Sequence, residues 1–332
     1  MEHFMKSGKV SEAILKRSVF NNIKKRRPEV MESVGIGKDC ATIKFNDERI
    51  VLTTDPVTGT IRNVGEYGIY KAVNDLAAAG AEPVAVMISI LMPENFTEKK
   101  LKNIMETLES VCAEQNVEIV GGHTEVTKIV NSPLVTVSAI GKPIKDKTFS
   151  LSNVKEGQDI ILTKWIGIEG NRILATEKRE EILLKYKEEV LNKAKGERSD
   201  MSVLKEAKIA IEMGATAMTD VAEGGIFAAL WNLGEAAGLG LKVDFKSIPV
   251  NQEGIEICEM FDINPYVLSS TGALLIVADN GYEIVERLNE ASIKATIIGQ
   301  TMAGNDRIII NGDETRYLEP PQRDEIHKIK EM

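Results

Sequence analysis

Three aspartates stand beside glycines or at the ends of apolar runs, where a fold commonly presents side chains to a ligand. Asp39 closes Gly35-Ile-Gly37-Lys38-Asp39, Asp55 closes Leu52-Thr-Thr-Asp55, and Asp75 lies in Asn74-Asp75-Leu-Ala-Ala-Ala-Gly80. Magnesium binds through a few carboxylates together with phosphate oxygens and water, and it offsets the charge of a triphosphate during phosphoryl transfer. The three aspartates therefore predict a magnesium–phosphate site if the fold brings them together.

Each aspartate also has an ordinary structural interpretation. Asp39 and Asp55 have the positions of turn residues, and Asp75 has the spacing of a solvated helix position paired with Lys71. A single aspartate of this kind is weak evidence for a metal site, so the hypothesis depends on the whole set.

Two glycine-rich segments add candidate ligand contacts. Gly121-Gly122-His123-Thr124-Glu125 follows an apolar run that ends at Val120, and its glycines would let backbone amides approach a ligand. Asp220-Val-Ala-Glu223-Gly224-Gly225 leads into a helical pattern, which predicts an anion site at a helix N-terminus. The alternatives are a plain turn for the first segment and simple helix capping for the second. The sequence contains no P-loop and no protein-kinase signature.

The elements that must position these residues divide into two halves. In the first half, β-branched apolar runs predict strands over residues 50–53, 84–91, 117–120 and 134–140, and helical spacing predicts helices over residues 65–79 and after Thr97. A polar stretch after Pro143 and a new strand at residues 159–163 place a domain boundary near residue 150.

The second half carries predicted helices over residues 171–195 and 202–213. Its predicted strands cover residues 239–245, 273–278 and 295–298. Strands and single helices do not alternate regularly, so the prediction is an α+β protein with domains at residues 1–150 and 151–332. The charged tail around Pro320-Pro321 is predicted to be an extended surface segment.

The N-terminus shows helical spacing in Ile14, Leu15, Val19, Phe20 and Ile23, followed by a basic run at residues 24–27. We interpret this pattern as an amphipathic helix that begins near Ser11 and packs on its own domain, rather than as a membrane-binding helix. Charged residues interrupt it too often for a signal peptide or a membrane span.

Composition narrows the class of protein. Forty-one Lys and Arg against fifty Asp and Glu give a formal charge of −9, which argues against a surface adapted to nucleic acid. Cys40, Cys112 and Cys258 form no CxxC pair or disulfide framework, so we expect no zinc site and a cytoplasmic location. His3 and His327 receive no predicted role.

Taken in order, these segments resemble the signature blocks of the aminoimidazole ribonucleotide synthetase superfamily, and most closely HypE-like members. The blocks are residues 35–43, Thr53-Thr-Asp55, residues 74–83, Gly121-Gly-His-Thr124 and residues 217–225, with further similarity at residues 8–15 and 269–276. The resemblance extends from about residue 8 to residue 310.

The resemblance implies a PurM-like two-domain fold whose N-terminal sheets form a β-barrel across a homodimer, with ATP between sheet and partner. Asp39, Asp55 and Asp75 would hold Mg²⁺, with Asp39, Asp55 and His123 catalytic. The remaining nucleotide contacts would come from Gly35, Gly37, Lys38, Asn74, Asp75, Gly121, Gly122, Thr124, Asp220, Glu223, Gly224 and Gly225. It also implies ATP-dependent phosphorylation of an oxygen on a small or protein-bound acceptor, and a maturation partner protein.

Two departures from the family pattern keep several functions open. Lys38 and His123 stand where many members have acidic residues, and the sequence ends His327-Lys-Ile-Lys-Glu-Met332 instead of in Pro-Arg-Ile-Cys, so we expect no carbamoyl-carrying thiol. The alternatives are hydrogenase maturation by thiocarboxamide dehydration, a nucleotide-binding regulator without turnover, and a thiamine-monophosphate kinase or purine-pathway cyclo-ligase.

Overall fold

Two mixed sheets, each with its own helices, make up the chain. The computed structural model describes residues 10–25, 27–31, 35–46, 48–57, 64–145, 147 and 149–331. The predicted α+β architecture is confirmed, and the predicted boundary near residue 150 falls between the two sheets. No helix in these ranges is long and apolar enough to cross a membrane. His3 and Arg26 lie outside the described residues.

The first sheet has five strands in the order β1-β2-β5-β3-β4, all antiparallel except the parallel pair β3 and β4. Its elements are β1 (Ala41–Phe45), β2 (Glu48–Val57), β3 (Ala81–Met92), β4 (Glu118–Val126), β5 (Leu134–Pro143), α1 (Glu12–Ile14), α2 (Val64–Ala78) and α3 (Glu98–Glu114). Tyr67, Ile69 and Leu76 of α2 are buried with Ile90 and Val137 of the sheet, so α2 covers one sheet face. Thr97 caps α3 as predicted.

The second sheet has seven strands in the order β12-β11-β8-β10-β6-β9-β7. Its strands are β6 (Asp159–Thr163), β7 (Ala217–Val221), β8 (Gly240–Asp244), β9 (Ala273–Ala278), β10 (Ala295–Met302), β11 (Arg307–Asn311) and β12 (Glu314–Tyr317). Its helices are α4 (Ile168–Glu177), α5 (Arg179–Lys185), α6 (Glu188–Lys195), α7 (Leu204–Glu212), α8 (Gly225–Ala237), α9 (Gln252–Met260), α10 (Gly281–Glu290) and α11 (Ile326–Glu331). All six residues of β9 are buried, which explains its uninterrupted apolar sequence.

Helix α2 joins the two halves through three polar contacts. Glu66 pairs with Arg172 at 3.0 Å, and Lys71 pairs with Glu169 at 3.0 Å. Asn74 is fully buried; its amide nitrogen donates to the Met201 carbonyl at 2.8 Å and its oxygen accepts from the Val203 N–H at 3.0 Å. The alternative interpretation of Asp75 as a solvated helix position paired with Lys71 is therefore wrong, because Lys71 faces the second half instead.

Three other predictions about the elements were wrong or only partly right. The helical stretch over residues 171–195 is three helices, because Lys178 leaves helical geometry between α4 and α5 and Tyr186 and Lys187 adopt extended backbone between α5 and α6. The tail is exposed around Pro320-Pro321 as predicted, but its end is not a surface segment, since Asp324, Ile326 and His327 are all less than 9% exposed. The N-terminal helical segment, residues 12–22, packs on α8 of the other half: Glu12 accepts from the Trp231 ring N–H at 3.0 Å, and Lys16 pairs with Glu235 at 2.6 Å.

The Asn74 contacts generate a stability prediction. Replacing Asn74 by Ala leaves the Val203 N–H and the Met201 carbonyl buried without partners, so we expect the free energy of unfolding to fall by about 2–4 kcal/mol. Urea denaturation measures this loss. Asn103→Ala, at an exposed position of α3, is the matched control and should change stability by less than about 1 kcal/mol. An Asn74→Ala protein as stable as its parent would show that this joint is unimportant.

Candidate functional site

Four aspartates from both halves of the chain meet in one cleft. Asp39 precedes β1, Asp55 lies on β2, Asp75 on α2 and Asp220 on β7. Asp39, Asp75 and Asp220 line the cleft, while Asp55 and Asp75 are close enough for their carboxyl groups to interact. The structure thus brings together the three predicted metal ligands and one predicted cofactor contact.

The local fold explains how these side chains converge. Residues alternate across a strand, so Thr53 and Asp55 of β2 point to the same sheet face, the face that α2 covers. The Thr53 hydroxyl donates to Asp75 Oδ2 at 2.8 Å and lies 3.3 Å from the Asp39 carbonyl. Thr53 therefore ties the loop before β1 to the middle of α2, a role that the sequence analysis did not assign.

The cleft is strongly acidic. Burial raises the pKa of Asp75 well above its usual range, and the neighbouring charges of Asp220, Asp55 and Asp39 raise it further. Burial, followed by the same carboxylates, also raises the pKa of the Cys40 thiol well above normal. Cys40 is therefore a neutral thiol and not a nucleophile at neutral pH.

The donor set fits a hard divalent cation. Asp55 Oδ2 is buried and accepts no hydrogen bond from the described residues, so this oxygen is available to a cation. Within those residues, no three carboxylate, imidazole or thiol side chains converge on one ready-made metal position. This arrangement suits Mg²⁺, which usually takes one or two carboxylates and completes its shell with phosphate and water oxygens.

Cationic side chains border the carboxylates. Lys38, Arg49 and Lys147 line the same cleft, and Lys147 donates to the Ala215 carbonyl at 2.8 Å. Gly37, in the loop beside Lys38, has a φ of +68°, and a Cβ there would lie 3.2 Å from atoms of Leu151, Asn232 and Ala236. Glycine is required at this position because the loop packs tightly against the second half while turning into the cleft.

Two further cavities meet the cleft at the loop that contains Lys38 and Asp39. One, of about 440 Å³, lies over the sheet face opposite α2 and is bordered by Leu52, Thr54, Met87 and Ser138. The other, of about 680 Å³, lies between the N-terminal helical segment, α8 and the tail. Lys38 and Asp39 line all three spaces. A ligand that spans these spaces must therefore pass this pair of residues.

The Gly224-Gly225 loop does not present its amides to the cleft. The Gly224 N–H donates to Asp324 Oδ2 at 2.6 Å, and the Gly225 N–H donates to the Ala222 carbonyl at 3.1 Å. The predicted anion position is thus filled by a carboxylate of the chain's own tail. Glu223 lines the 680 Å³ cavity and lies 3.8 Å from the ring of the buried His327.

The remaining predicted contacts lie away from the cleft of the same chain. Gly121, Gly122, His123 and Thr124 are not a turn but part of β4, the edge strand of the first sheet, and they are exposed. His123 pairs with Glu125 at 3.0 Å. Gly122 is required by close packing, since a Cβ there would lie 1.8 Å from the Ile88 carbonyl oxygen. Asn74, also a predicted nucleotide contact, has both polar atoms engaged between the two halves.

Asp324 is the site residue that sequence reasoning missed. Besides Gly224, it accepts from the N–H groups of Ile326 at 2.7 Å and Ser269 at 3.3 Å. Nearby, Glu169 accepts from Ser269 and Thr271 while pairing with Lys71. The sequence offers no local signal for Asp324, because it stands among ordinary charged residues and two of its three partners, Ser269 and Gly224, are 55 and 100 positions away.

Comparison with known proteins gives a consistent result. The family described as AIR synthase related protein matches through its N-terminal domain at residues 37–142 and its C-terminal domain at residues 155–311. A putative hydrogenase expression/formation protein of Methanocaldococcus jannaschii is 26% identical over 314 residues, which cover 91% of each chain. The thiamine-monophosphate kinase of Pyrococcus horikoshii is 26% identical over 303 residues, which cover 87% of this chain and 90% of that protein.

Solved structures share the fold. HypE from a HypE–HypF complex superposes with a TM-score of 0.76 at 22% identity, covering 93% of this chain and 100% of that chain. HypE in complex with ATP superposes with a TM-score of 0.72 at 18% identity, covering 96% and 97%. The predicted PurM-like two-domain fold is confirmed; the barrel across a homodimer stays a prediction.

The aspartate cluster generates a prediction about stability. Asp75→Asn removes one of several mutually repelling charges but keeps an acceptor for Thr53, so we expect the metal-free protein to gain about 1 kcal/mol or more. We also expect Mg²⁺ to raise the melting temperature of the parent but not of the variant. Thermal unfolding with and without 10 mM MgCl₂, about the concentration at which weak sites fill, measures both effects. Asp313→Asn, at an exposed position, should behave like the parent; equal Mg²⁺ stabilisation of all three proteins would contradict the metal site.

Asp324 generates a pH prediction. Burial raises the pKa of Asp324 to about 7, although its hydrogen bonds from Gly224 and Ile326 act in the opposite direction. The folded protein therefore binds this proton more tightly than the unfolded chain, and the associated stability is present below about pH 4 and lost as the pH rises through about 7. Asp324→Asn has no such proton. The stability of the parent relative to the variant should fall by about 2–3 kcal/mol between pH 5 and pH 8.

Urea denaturation at the two pH values measures the difference. Glu319→Gln, which removes an exposed carboxylate from the same tail, should show no such pH dependence. A parent-to-Asp324→Asn difference that is constant from pH 5 to pH 8 would contradict the raised pKa.

Proposed function

We propose that this chain, which belongs to the AIR synthase related protein family, is an ATP- and magnesium-dependent enzyme that phosphorylates an oxygen of a small or protein-bound acceptor. The observation that carries the proposal is the cluster of Asp39, Asp55, Asp75 and Asp220, in which the buried Asp55 Oδ2 has no hydrogen-bond donor among the described residues. A cation bound there would reduce the repulsion among the carboxylates and would also bind the oxygens of a triphosphate.

The residues have distinct roles in this proposal. One or two of these aspartates per ion, together with phosphate and water oxygens, would hold Mg²⁺, which neutralises phosphate charge when bound. Lys38 and Arg49 border the same cleft and would balance the charge that develops on the transferred phosphoryl group. Thr53 keeps Asp75 and the Asp39 backbone in register, so it acts as a positioning residue. Catalysis then comes from alignment and charge neutralisation, with no covalent intermediate on the protein.

The 440 Å³ cavity over the first sheet is the space we assign to the nucleoside part of ATP. It adjoins the cleft at Lys38 and Asp39, and its walls are apolar or hydroxyl-bearing, which suits a base and a ribose. Related structures support nucleotide binding in this fold, because one HypE is complexed with ATP and one thiamine-monophosphate kinase homologue with AMPPCP and TMP.

A homodimer would explain the exposed strand β4. Val120 and Val126 of β4 and Met87 of β3 are about half exposed on a sheet face that none of the described helices covers. In a homodimer, His123 and Thr124 would belong to a surface that faces the partner, where a role in catalysis becomes accessible to them. We retain the predicted catalytic role of His123 only for a homodimer in which β4 faces the partner.

Two specific reactions are favoured by the relatives. Thiocarboxamide dehydration is supported by matches to proteins named hydrogenase expression/formation protein and carbamoyl dehydratase HypE, and one HypE is solved with HypF, which supports a maturation partner. Phosphorylation of thiamine monophosphate is supported by the Pyrococcus horikoshii kinase. Both begin with transfer of the γ-phosphoryl group to an oxygen, so both use the same cleft.

An assay of ADP release tests the proposal. MgATP is supplied alone, with thiamine monophosphate, and with a peptide carrying an S-carbamoylated cysteine; products are identified by mass spectrometry. We expect magnesium-dependent ADP release in at least one arm, and a loss of at least about 100-fold in Asp55→Asn and Asp75→Asn.

The control for this assay is Asp313→Asn, which should retain the parent's rate. Binding of MgATP without ADP release in any arm would favour the nucleotide-binding regulator. Unchanged turnover in Asp55→Asn would overturn the assignment of the aspartate cluster.

A further inference from the structure

The 680 Å³ cavity has one apolar end and one polar end. The N-terminal helical segment, α8 and the tail segment Pro320-Pro321-Gln322 form its walls. Its apolar lining residues are Val10, Ala13, Leu15, Phe20, Ile36, Ala228 and Trp231. Its polar end, at Lys38, Asp39 and Glu223, opens toward the aspartate cleft. This volume suits a small molecule or the end of a modified side chain.

We propose that this cavity binds the phosphoryl acceptor, and that the acceptor combines an apolar, ring-sized body with an uncharged oxygen, either a hydroxyl or a carboxamide oxygen. The inference rests on the proposed function and narrows it, because it favours an uncharged acceptor oxygen over a phosphate.

The cavity lies directly beside the aspartate cleft. Gly37, Lys38 and Asp39 line both the aspartate cleft and the cavity, so a phosphoryl group held at the cleft lies at the mouth of the cavity. An acceptor in the cavity therefore approaches the phosphorus without crossing the nucleoside space, which opens on the other side of Lys38 and Asp39.

The chemistry of the apolar end is the second argument. Its charged groups already bind one another: Glu12 accepts from the Trp231 ring N–H, and Lys16 pairs with Glu12 and Glu235. Arg307 also pairs with Glu235, at 2.9 Å, and lies 4.1 Å from the Trp231 ring centre. The rest of this end is mainly hydrocarbon and indole, which bind an apolar ring, together with the uncharged side chains of Ser11 and Asn232.

Charge at the polar end is the third argument. In the proposed function Asp39 contributes to the Mg²⁺ site and Lys38 faces the transferred phosphoryl group, which leaves the Glu223 carboxylate as the charge that a second phosphate would meet at this end. A hydroxyl or carboxamide carries no such penalty. Glu223 is also placed to accept the proton that leaves the hydroxyl or the amide nitrogen. The acceptor oxygen then bonds to the γ-phosphorus, the bond to the β,γ-bridging oxygen breaks, and ADP departs with that electron pair.

The tail completes the cavity. Asp324 fastens the tail to the Gly224 N–H and the Ser269 N–H, and the two prolines just before it stiffen the wall. Gly224 lines the cavity directly beside this fastening. The wall is therefore fixed by the same carboxylate that occupies the anion position of the loop.

Fluorescence of the full-length protein tests the inference. The chain has two tryptophans, so Trp165→Phe leaves Trp231 as a single reporter in the cavity wall. Benzamide and phenyl phosphate serve as a matched pair of probes with the same ring. We expect benzamide to change the Trp231 emission saturably, with a half-saturating concentration at least about tenfold lower than that of phenyl phosphate.

A cavity-filling variant locates the binding. Ala13→Phe, added to the Trp165→Phe background, should raise the benzamide half-saturation at least about tenfold by occupying the space. Ala113→Phe, at an exposed position of α3, is the matched control and should leave it unchanged. Circular dichroism monitors folding, and the smaller Ala13→Leu is used if Ala13→Phe does not fold.

The outcomes separate this inference from the proposed function. Equal or tighter binding of phenyl phosphate, no saturable response to benzamide, or no effect of filling at Ala13 would overturn the inference, even if ADP release is observed. A different outcome is that benzamide binding is lost on filling at Ala13 while no assay arm releases ADP. That result would support the cavity as a site for an apolar ring with an uncharged oxygen, and it would count against phosphoryl transfer as the function.

Discussion

Repulsion among four clustered carboxylates, of which Asp75 and Asp220 are buried, is the constraint on which the rest of the structure depends. Asp39, Asp55, Asp75 and Asp220 come from a loop, a strand, a helix and the other half of the chain, and nothing local forces them together. Their mutual charge and their desolvation both oppose the folded state. The fold must therefore bring in stabilising contacts elsewhere, and the cluster itself gains stability only when a proton or a cation enters it.

Helix α2 supplies those contacts and also carries Asp75. Its buried apolar side chains pack on the first sheet, while Glu66, Lys71 and Asn74 bind the second half. Asn74 and Asp75 are neighbours in sequence, about 100° apart around the helix, so one faces the joint and the other faces the cleft. Any movement of the second half relative to α2 would therefore change the distance between Asp75 and Asp220. The geometry of the aspartate site therefore depends on the rigidity of the joint between α2 and the second half.

The sequence predicted those residues of the site that have a local signature. Asp39, Asp55 and Asp75 stand out because glycines or strand ends accompany them, and the α+β elements follow from apolar periodicity. The function of Asn74 could not be predicted, because a buried amide that joins a helix to a distant segment has the same sequence context as one that binds a ligand. Gly121 and Gly122 suggested a turn, yet they lie in a strand where the close Ile88 carbonyl excludes a side chain. Asp324 acts through partners far away in sequence, which no local pattern encodes.

The loop at Gly224 shows how a recognisable anion-binding shape can serve the protein itself. Helix α8 begins at Gly225, and both glycines have positive φ, which is the backbone geometry that presents N–H groups to an anion. In this chain the anion is Asp324, an internal carboxylate held by three N–H donors. In the proposed function, phosphate recognition would then come from the Gly35–Asp39 loop and from a cation held by the aspartates. The second half contributes Asp220 to the cleft, and through Asp324 and the prolines it contributes a wall of the cavity proposed for the acceptor.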